Sequence, residues 1–280
     1  MRMVDTFSEA SAAEICKTLI ALWKTRRDRE TRFRERGERP NLIKFCSVHG
    51  LVAHAYRVGE HTLSMYESGL VMEALPLMRT TYESALMAHW IAQNRDGAEA
   101  LANRAISNRR AVALTLERAK SAVLRAGAKG LLDIDKTLLE TSSSSQAKYF
   151  EKLCEDLEPG GADAYTYYRL MCWYTHPSAH IVDSYIHLGE DGQTVDALRQ
   201  EPAQLDANMW VHFLAFSLVW AGRAFDFIDE EKMHRSQLRS AARALGISDV
   251  LTLSASARKR IEDAERQARR SSWKGPRPKD

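Results

Sequence analysis

The chain lacks an apolar run long enough to cross a membrane. Its longest run extends from Trp210 to Gly222, 13 of the 280 residues, and it contains the polar residues His212 and Ser217. A membrane-spanning helix needs roughly 20 apolar residues. The beginning of the chain carries an acidic side chain and no apolar run, so it does not resemble a secretion signal. We therefore expect a cytoplasmic protein without a membrane partner, in which this run forms a buried core helix.

Motifs that bind cofactors or metals are also missing. The four cysteines include no CxxC pair and lie among apolar residues, where a free thiol behaves as a small hydrophobic group. No G-x-S-x-G, G-x-x-x-x-G-K-[ST] or G-x-G-x-x-G motif occurs. His176 and His180 have the spacing of metal ligands, but Pro177 interrupts the helix that would align them. The sequence therefore predicts no cofactor and no metal site.

The net charge of +3 is distributed unevenly along the chain. Residues 24–39 contain eight basic and four acidic side chains, a net charge of +4. Residues 258–280 contain nine basic and four acidic side chains, a net charge of +5, so the remaining residues carry −6. Two interpretations stay open for the basic ends: they form patches that bind phosphate groups, or they are solvated helix faces of mixed charge.

Apolar residues recur at helical spacing through most of the chain, with glycine, proline and serine between the periodic segments. We predict an all-α fold, a single large helical bundle of about seven to nine helices, with one small β-hairpin near residues 184–196. The predicted helices cover residues 8–36, 42–67, 71–94, 96–125, 146–157, 162–176, 204–229, 231–245 and 249–270.

Local signals set several of these boundaries. Ser8 is the expected cap of the first helix, Gly127 closes the fourth, and residues 141–145 form a flexible serine-rich loop. The predicted division of the chain is a charged N-terminal helix, a core bundle, charged C-terminal helices and a disordered tail, at residues 1–40, 41–230, 231–270 and 271–280.

The first polar group lies on the predicted helix 71–94. At 100° per residue, Arg79 and Glu83 fall within the arc of its apolar residues, which are Met72, Leu75, Tyr82, Leu86 and Trp90. Removing such charges from water costs several kcal/mol each unless they are paired. We therefore predict an ion pair with further partners on another helix. It is either a structural salt bridge that fixes helix register or part of a site that lines a cleft.

The second polar group closes an aromatic helix. Arg169 and His176 are seven residues apart, which in an unbroken helix places them within about 20° of each other. The residue before Pro177 avoids the α region, so His176 would end the helix, where the helix dipole favours its protonated form. An imidazole that changes charge beside a guanidinium suits phosphate chemistry, with Ser178 and His180 as supporting polar groups. The alternative is a histidine that caps the helix and hydrogen-bonds within the core.

In the order of these features the chain resembles a group of bacterial helical proteins known only as a domain of unknown function. The features are an apolar helix with Arg79-x-x-x-Glu83 and a distant aromatic helix that closes with His176-Pro177-Ser178. The resemblance covers roughly residues 42–229 and implies a helical fold without an established activity.

The segment from Arg169 to His176 also resembles the R-x(4–6)-H motif of the HEPN superfamily (higher eukaryote and prokaryote nucleotide-binding). Leu170, where that superfamily usually has a polar residue, and Pro177 depart from its pattern. The resemblance implies an RNA-directed, metal-independent endoribonuclease of a toxin or phage-defence system, commonly built as a homodimer. His176 would then move the proton of a 2′-hydroxyl or of the leaving oxygen, and Arg169 would stabilise the phosphate charge.

Two other functions stay open. A non-catalytic scaffold or regulatory module that binds a protein partner would join Arg79, Glu83, Arg169 and His176 in one internal polar network. A small-molecule or metal enzyme would need a cleft and several converging histidine or carboxylate groups. Solvent exposure separates the first two hypotheses, because a nuclease needs Arg169 and His176 accessible whereas a scaffold would bury them.

Overall fold

The computed structural model describes residues 10–26, 41–132 and 137–272. In these residues the chain forms twelve helices and two sheets of two strands each. The helices are α1 (Ala12–Lys24), α2 (Leu42–Glu67), α3 (Val71–Gln93), α4 (Gly97–Glu117), α5 (Ala122–Leu132), α6 (Ser144–Lys148), α7 (Phe150–Glu155), α8 (Gly161–Cys172), α9 (Ala179–Ser184), α10 (Ala207–Ile228), α11 (Arg235–Ala244) and α12 (Ala255–Ser272). The strands are β1 (Leu157–Glu158), β2 (Ile186–Leu188), β3 (Val195–Leu198) and β4 (Thr252–Leu253).

The predicted all-α class is confirmed, and the predicted β-hairpin is present as the antiparallel pair β2–β3. The number of helices in the described residues exceeds the predicted seven to nine. The excess comes from short helices of five or six residues and from a break in the predicted fourth helix.

The first helix is shorter than predicted. It is capped by Ser11, whose Oγ accepts from the backbone N–H of Glu14 while the Glu14 carboxylate accepts from the N–H of Ser11. This reciprocal pair satisfies two N–H groups that a helix start leaves free, so the helix begins at Ala12. It ends at Lys24 rather than continuing to residue 36. Ser8, the predicted cap, and most of the basic segment 24–39 lie outside the described residues.

The centre of the bundle is formed by α3 and α10, with α1 and α2 packed around them. By length and composition α10 could cross a membrane, but 89% of its most apolar window is buried inside the protein. This burial confirms the predicted core helix. Gly222 lets neighbouring helices approach α10, because a Cβ there would lie 2.6 Å from Cδ2 of Leu238 and 2.7 Å from the hydroxyl of Tyr56.

The predicted helix 96–125 is wrong, since the chain forms α4 and α5 with a turn between them. Arg125 explains the break, because its Nη1 donates to the carbonyls of Ala119 and Lys120 at 2.7 and 2.6 Å. These bonds satisfy carbonyl groups just beyond the end of α4 that a continuous helix would use internally. Gly127 lies inside α5 and does not end a helix.

The serine-rich segment 141–145 is held in place by a carboxylate. Asp96 accepts from the N–H and the hydroxyl of Ser142 at 2.5 and 2.9 Å, and from the hydroxyl of Ser143 at 2.6 Å. The predicted loop is present at residues 141–143 and is shorter than predicted, since α6 begins within the segment, at Ser144.

The C-terminal helices are shifted from their predicted ranges because β4 pairs with β1 in an antiparallel arrangement. The chain is extended at Thr252 and Leu253, so α12 begins only at Ala255. It extends to Ser272, and the rest of the predicted disordered tail lies outside the described residues. The predicted division into four segments stays a prediction.

Candidate functional site

Arg79 and Glu83 form the predicted ion pair on α3. The Nε of Arg79 donates to Oε1 of Glu83 at 2.9 Å, and 19% of the arginine side chain is exposed against 38% of the glutamate side chain. Burial alone would lower the pKa of Arg79, but the Glu83 carboxylate outweighs it and the pKa is raised. Arg79 is therefore a permanent cation at the edge of the core.

The other donors of Arg79 reach α8 and the turn that follows it. Its Nη1 donates to the hydroxyl of Thr175 at 2.9 Å and lies 2.6 Å from Nε2 of His176. Its Nη2 donates to the hydroxyl of Tyr168 at 2.8 Å, and the guanidinium carbon lies 4.8 Å from the centre of that ring. We call Arg79, Glu83, Tyr168, Thr175 and His176 the Arg79 cluster. It confirms the prediction of further partners on another helix.

His176 is the acceptor in its contact with Arg79. A guanidinium can only donate hydrogen bonds, so Nε2 accepts. His176 is exposed, and among the described residues Arg79 is its one hydrogen-bond partner. The cluster thus combines a permanent cation with an exposed imidazole.

Tyr168 supports the guanidinium from α8. Burial raises the pKa of Tyr168 to about 12, against the opposing effect of Arg79. The phenol is therefore neutral at physiological pH and its oxygen accepts from Arg79. The ring also packs on Phe150 of α7, with 4.6 Å between ring centres. This packing fixes the position of the ring beside Arg79.

The family of unknown function DUF5677 matches residues 46–194, which are 149 of the 280 residues and include the whole Arg79 cluster. The chain belongs to this family. The predicted domain of unknown function is thereby confirmed, whereas the comparisons give no support to the HEPN resemblance. Neither a curated protein nor a solved structure matches the chain.

Within the DUF5677 segment, the expected geometry of Arg169 and His176 is wrong. The α-helix ends at Cys172, and the N–H groups of Tyr174 and Thr175 donate three residues back in a tighter turn. His176 therefore lies beyond the helix, and the structure records no contact between it and Arg169 among the described residues. Arg169 is exposed beside Tyr165, whose hydroxyl raises the pKa of the guanidinium.

Ser178 and His180 shape the chain after His176 and do not touch Arg79. The hydroxyl of Ser178 donates to the carbonyl of Trp173 at 2.6 Å and accepts from the N–H of Ile181, which caps α9. The ring of His180 stacks on Trp173, with 4.6 Å between centres and 12° between planes. Their contribution is to hold the turn that presents His176.

Two members of the Arg79 cluster, Tyr168 and Thr175, do not stand out in the sequence. Both lie within the aromatic segment that contains Arg169 and His176, so the segment was recognised but not its contact residues. Their partner Arg79 is 89 and 96 residues away in the sequence. No local pattern indicates a contact over such a separation.

A second ionic cluster lies near the C-terminal end of α10, outside the DUF5677 segment. Arg223 bonds to Asp226 and, at 2.9 Å, to Asp249, while Arg26 bonds to Asp229 at 2.6 Å. Burial raises the pKa of Asp226. The side chains of Arg223 and Asp226 are only 5% and 3% exposed, whereas that of Asp249 is 31% exposed, so the buried part of this cluster acts in packing.

Two clefts among the described residues lie away from the Arg79 cluster. A cleft of about 490 Å³ is lined by aromatic residues of α1, α2 and α10, among them Trp23, Tyr56 and Phe225. A second cleft, of about 710 Å³, lies between α4 and α12. No residue of the Arg79 cluster lines either one. In the described parts of the chain, no three His, Cys, Asp or Glu side chains are grouped to hold a metal ion.

Proposed function

We propose that the Arg79 cluster cleaves RNA without a metal ion, with His176 as the group that accepts a proton and Arg79 as the group that binds phosphate. The observation that carries the proposal is the 2.6 Å contact between the fixed guanidinium and the exposed imidazole. A permanent cation that binds phosphate and a neutral base are the two groups that this reaction needs.

Phosphate binding would activate the site by exchange of partners. A phosphate oxygen is a stronger acceptor for Arg79 than a neutral imidazole, because it is charged. When Nη1 donates to the phosphate, the lone pair on Nε2 of His176 becomes free. Glu83 and Tyr168 keep their bonds to the other guanidinium nitrogens and hold Arg79 in position during the exchange.

The reaction is then a transesterification within the RNA strand. The 2′-hydroxyl gives its proton to Nε2 of His176, and the 2′-oxygen attacks the phosphorus. The bond from phosphorus to the 5′-oxygen breaks, and that oxygen takes a proton from solvent. Arg79 faces the negative charge that develops on the non-bridging oxygens. The products are a 2′,3′-cyclic phosphate and a 5′-hydroxyl.

The exposure of the site supports a polymeric substrate. Small ligands are generally bound in concave pockets that cover most of their surface, whereas His176 is exposed and the two clefts contain no residue of the cluster. A strand of RNA can lie across such a surface. In this proposal Arg169, an exposed cation on α8, contacts a neighbouring phosphate instead of pairing with His176.

The test is incubation of the purified protein with total RNA in excess EDTA, followed by analysis of the product ends. The wild type is expected to give ends with 2′,3′-cyclic phosphate, and His176→Ala to be at least about 100-fold slower, the usual effect of losing a proton-transfer group. The matched control is His61→Ala, which removes an exposed histidine of α2. Equal rates for the two variants, or no cleavage by the wild type, would contradict the proposal.

A scaffold function is the second candidate, and the number of bonds to Arg79 favours it. Four of the five N–H groups of its guanidinium are engaged, which ties α3 to α8 and to the following turn. If the cluster is only structural, Arg79→Ala destabilises the fold, while neither Arg79→Ala nor His176→Ala changes a reaction with RNA. Unfolding curves of Arg79→Ala and His176→Ala, measured beside the cleavage assay, separate the two functions.

A further inference from the structure

The hairpin formed by α4 and α5 is largely exposed beyond the first turns of α4. α4 packs on α2, α3, α5 and α6, and apart from Ala113 its buried residues lie in its first turns, between Gly97 and Asn103. Ala113 and Ala128 are buried in the hairpin, and the residues around them are exposed. The hairpin therefore forms an arm attached to the body through the beginning of α4.

The arm is strongly basic. Residues 101–130 contain seven lysine and arginine residues and one acidic residue, Glu117, a net charge of +6. The whole chain has a net charge of only +3, so all other residues together carry −3. The positive charge of this protein is thus concentrated in a short internal segment, and not only at the two ends of the chain.

The cations of the arm lack acidic partners within the described residues. Arg109, Arg110, Arg118 and Lys120 are exposed, and no carboxylate of those residues lies within ion-pair distance of them. Several basic side chains elsewhere are paired with carboxylates, as Arg266 is with Asp263 on α12 at 2.5 Å. Uncompensated cations on a projecting hairpin attract polyanions.

The shape of the arm fits a phosphate backbone better than a lipid surface. The cations from Arg104 to Arg118 extend over about 21 Å of helix axis at 1.5 Å per residue. They surround the hairpin, since Arg109 and Arg118 point about 180° apart, which suits a flexible strand better than a flat surface. The exposed aliphatic residues of α4 do not share one face: Val112 (51% exposed) and Leu114 (43%) point about 200° apart. An interfacial helix needs a single continuous apolar face, which α4 does not offer.

We propose that the α4–α5 hairpin is an RNA-binding arm that contacts the phosphate backbone through Arg109, Arg110 and Arg118. The choice of RNA among polyanions rests on the proposed function. The arm is a separate site from the Arg79 cluster, on the helix that follows α3 in the chain. It supplies affinity without sequence selectivity, because backbone contacts carry no base information.

Salt dependence gives the expected size of the effect. Each phosphate contact to a single strand changes the slope of log affinity against log salt by about 0.7. The triple variant R109A/R110A/R118A should therefore reduce the slope by about 2 and, at 0.1 M salt, weaken binding by about 100-fold. A matched variant, R266A/R269A/R270A, removes the same number of arginines from α12.

The experiment measures fluorescence anisotropy of a labelled single-stranded RNA with the full-length protein, in a His176→Ala background that prevents cleavage. Circular dichroism and thermal unfolding verify the fold of each variant. A lower affinity for RNA and a smaller salt slope in the arm variant, with little change in the α12 variant, support RNA binding by the arm. Equal losses in both variants, or no loss in the arm variant, overturn it.

Two further outcomes separate this inference from the nuclease proposal. If the wild type cleaves RNA while the arm variant binds RNA normally, the proposed RNA binding by the arm is refuted and the nuclease proposal stands. If the arm variant loses RNA binding but the wild type cleaves no RNA, RNA binding by the arm stands and the nuclease proposal is refuted. Binding of vesicles of phosphatidylcholine and phosphatidylglycerol that depends on the arm, without RNA binding that depends on it, also overturns the inference.

Discussion

The stability of this protein should fall between pH 7 and pH 4.5 because of one enclosed histidine. His89 of α3 is fully buried, and the N–H of Leu251 donates to its Nε2 at 3.1 Å. Its Nδ1 lies 3.1 Å from the carbonyl of Trp220, and its Nε2 also lies 2.9 Å from the carbonyl of Leu251, so both contacts with carbonyls act to raise the pKa of the ring. Burial lowers the pKa of His89 to about 4, and the nearby Arg223 acts in the same direction.

The sign and size of the effect follow from linkage. The imidazole in the unfolded chain has a pKa of 6.5, so between pH 6.5 and about 4 the unfolded state holds one proton more than the folded state. The unfolding free energy therefore decreases as the pH falls through this range. The full difference is about 3 kcal/mol, of which roughly 2 kcal/mol is lost between pH 7 and pH 4.5.

Urea unfolding of the wild type and of His89→Gln at several pH values tests this reasoning. Glutamine does not titrate but keeps one donor and one acceptor, so the variant should be less stable at pH 7 and lose less stability on acidification. The difference between the two pH profiles isolates His89 from carboxylates such as Asp226. Parallel profiles would show that His89 is not the group that titrates, and would refute the argument.

Three other outcomes are expected. Gly222→Ala should destabilise the fold by about 1–3 kcal/mol, because its new methyl group would meet Leu238. Gly50→Ala, whose new methyl group has nothing within 4 Å, should stabilise α2 by about 0.5–1 kcal/mol. Thermal unfolding that ranks the two variants the other way contradicts the packing of α10. Arg79→Lys keeps the charge but not the forked contacts, and should cost about 1–2 kcal/mol in urea unfolding; an unchanged midpoint would mean that the cluster does not hold α3 to α8. Of the four cysteines, Cys46, which is exposed, should react first with a thiol reagent, and peptide mapping that finds a buried cysteine labelled first would disagree with the structure.

Helix boundaries could be predicted where local chemistry sets them. The second helix begins and ends as predicted, at Leu42 and Glu67, since Asn41 caps its start and Gly69 follows its end with a positive φ of 81°. The third ends within one residue of its predicted limit. In these helices the terminating residues adjoin the helix in sequence, and the pattern is sufficient.

Boundaries that depend on tertiary contacts could not be predicted. The break between α4 and α5 needs Arg125 to turn back onto carbonyls that precede it. The start of α12 depends on β4, which pairs with residues nearly a hundred positions earlier. The turn after Cys172 moved His176 out of line with Arg169, and this required the contacts of the turn with Arg79.

The candidate site was predicted in its parts and in one of its two pairings. Arg79 and Glu83 stood out because charges on an apolar face must be compensated, and His176 stood out because proline follows it. The polar groups of the two helices were expected to meet in one network, and the contact of Arg79 with His176 agrees with that expectation. The alignment of Arg169 with His176 along one helix was wrong, because α8 ends at Cys172.

The most direct test of the account compares two oligonucleotides of one sequence, an RNA and its all-2′-deoxy counterpart, in a single-turnover assay with EDTA. The account predicts that the wild type cleaves the RNA to products with 2′,3′-cyclic phosphate ends and leaves the deoxy strand intact, and that His176→Ala cleaves neither. Cleavage of the deoxy strand, or of the RNA by His176→Ala at the wild-type rate, would contradict the assignment of the 2′-hydroxyl proton to His176.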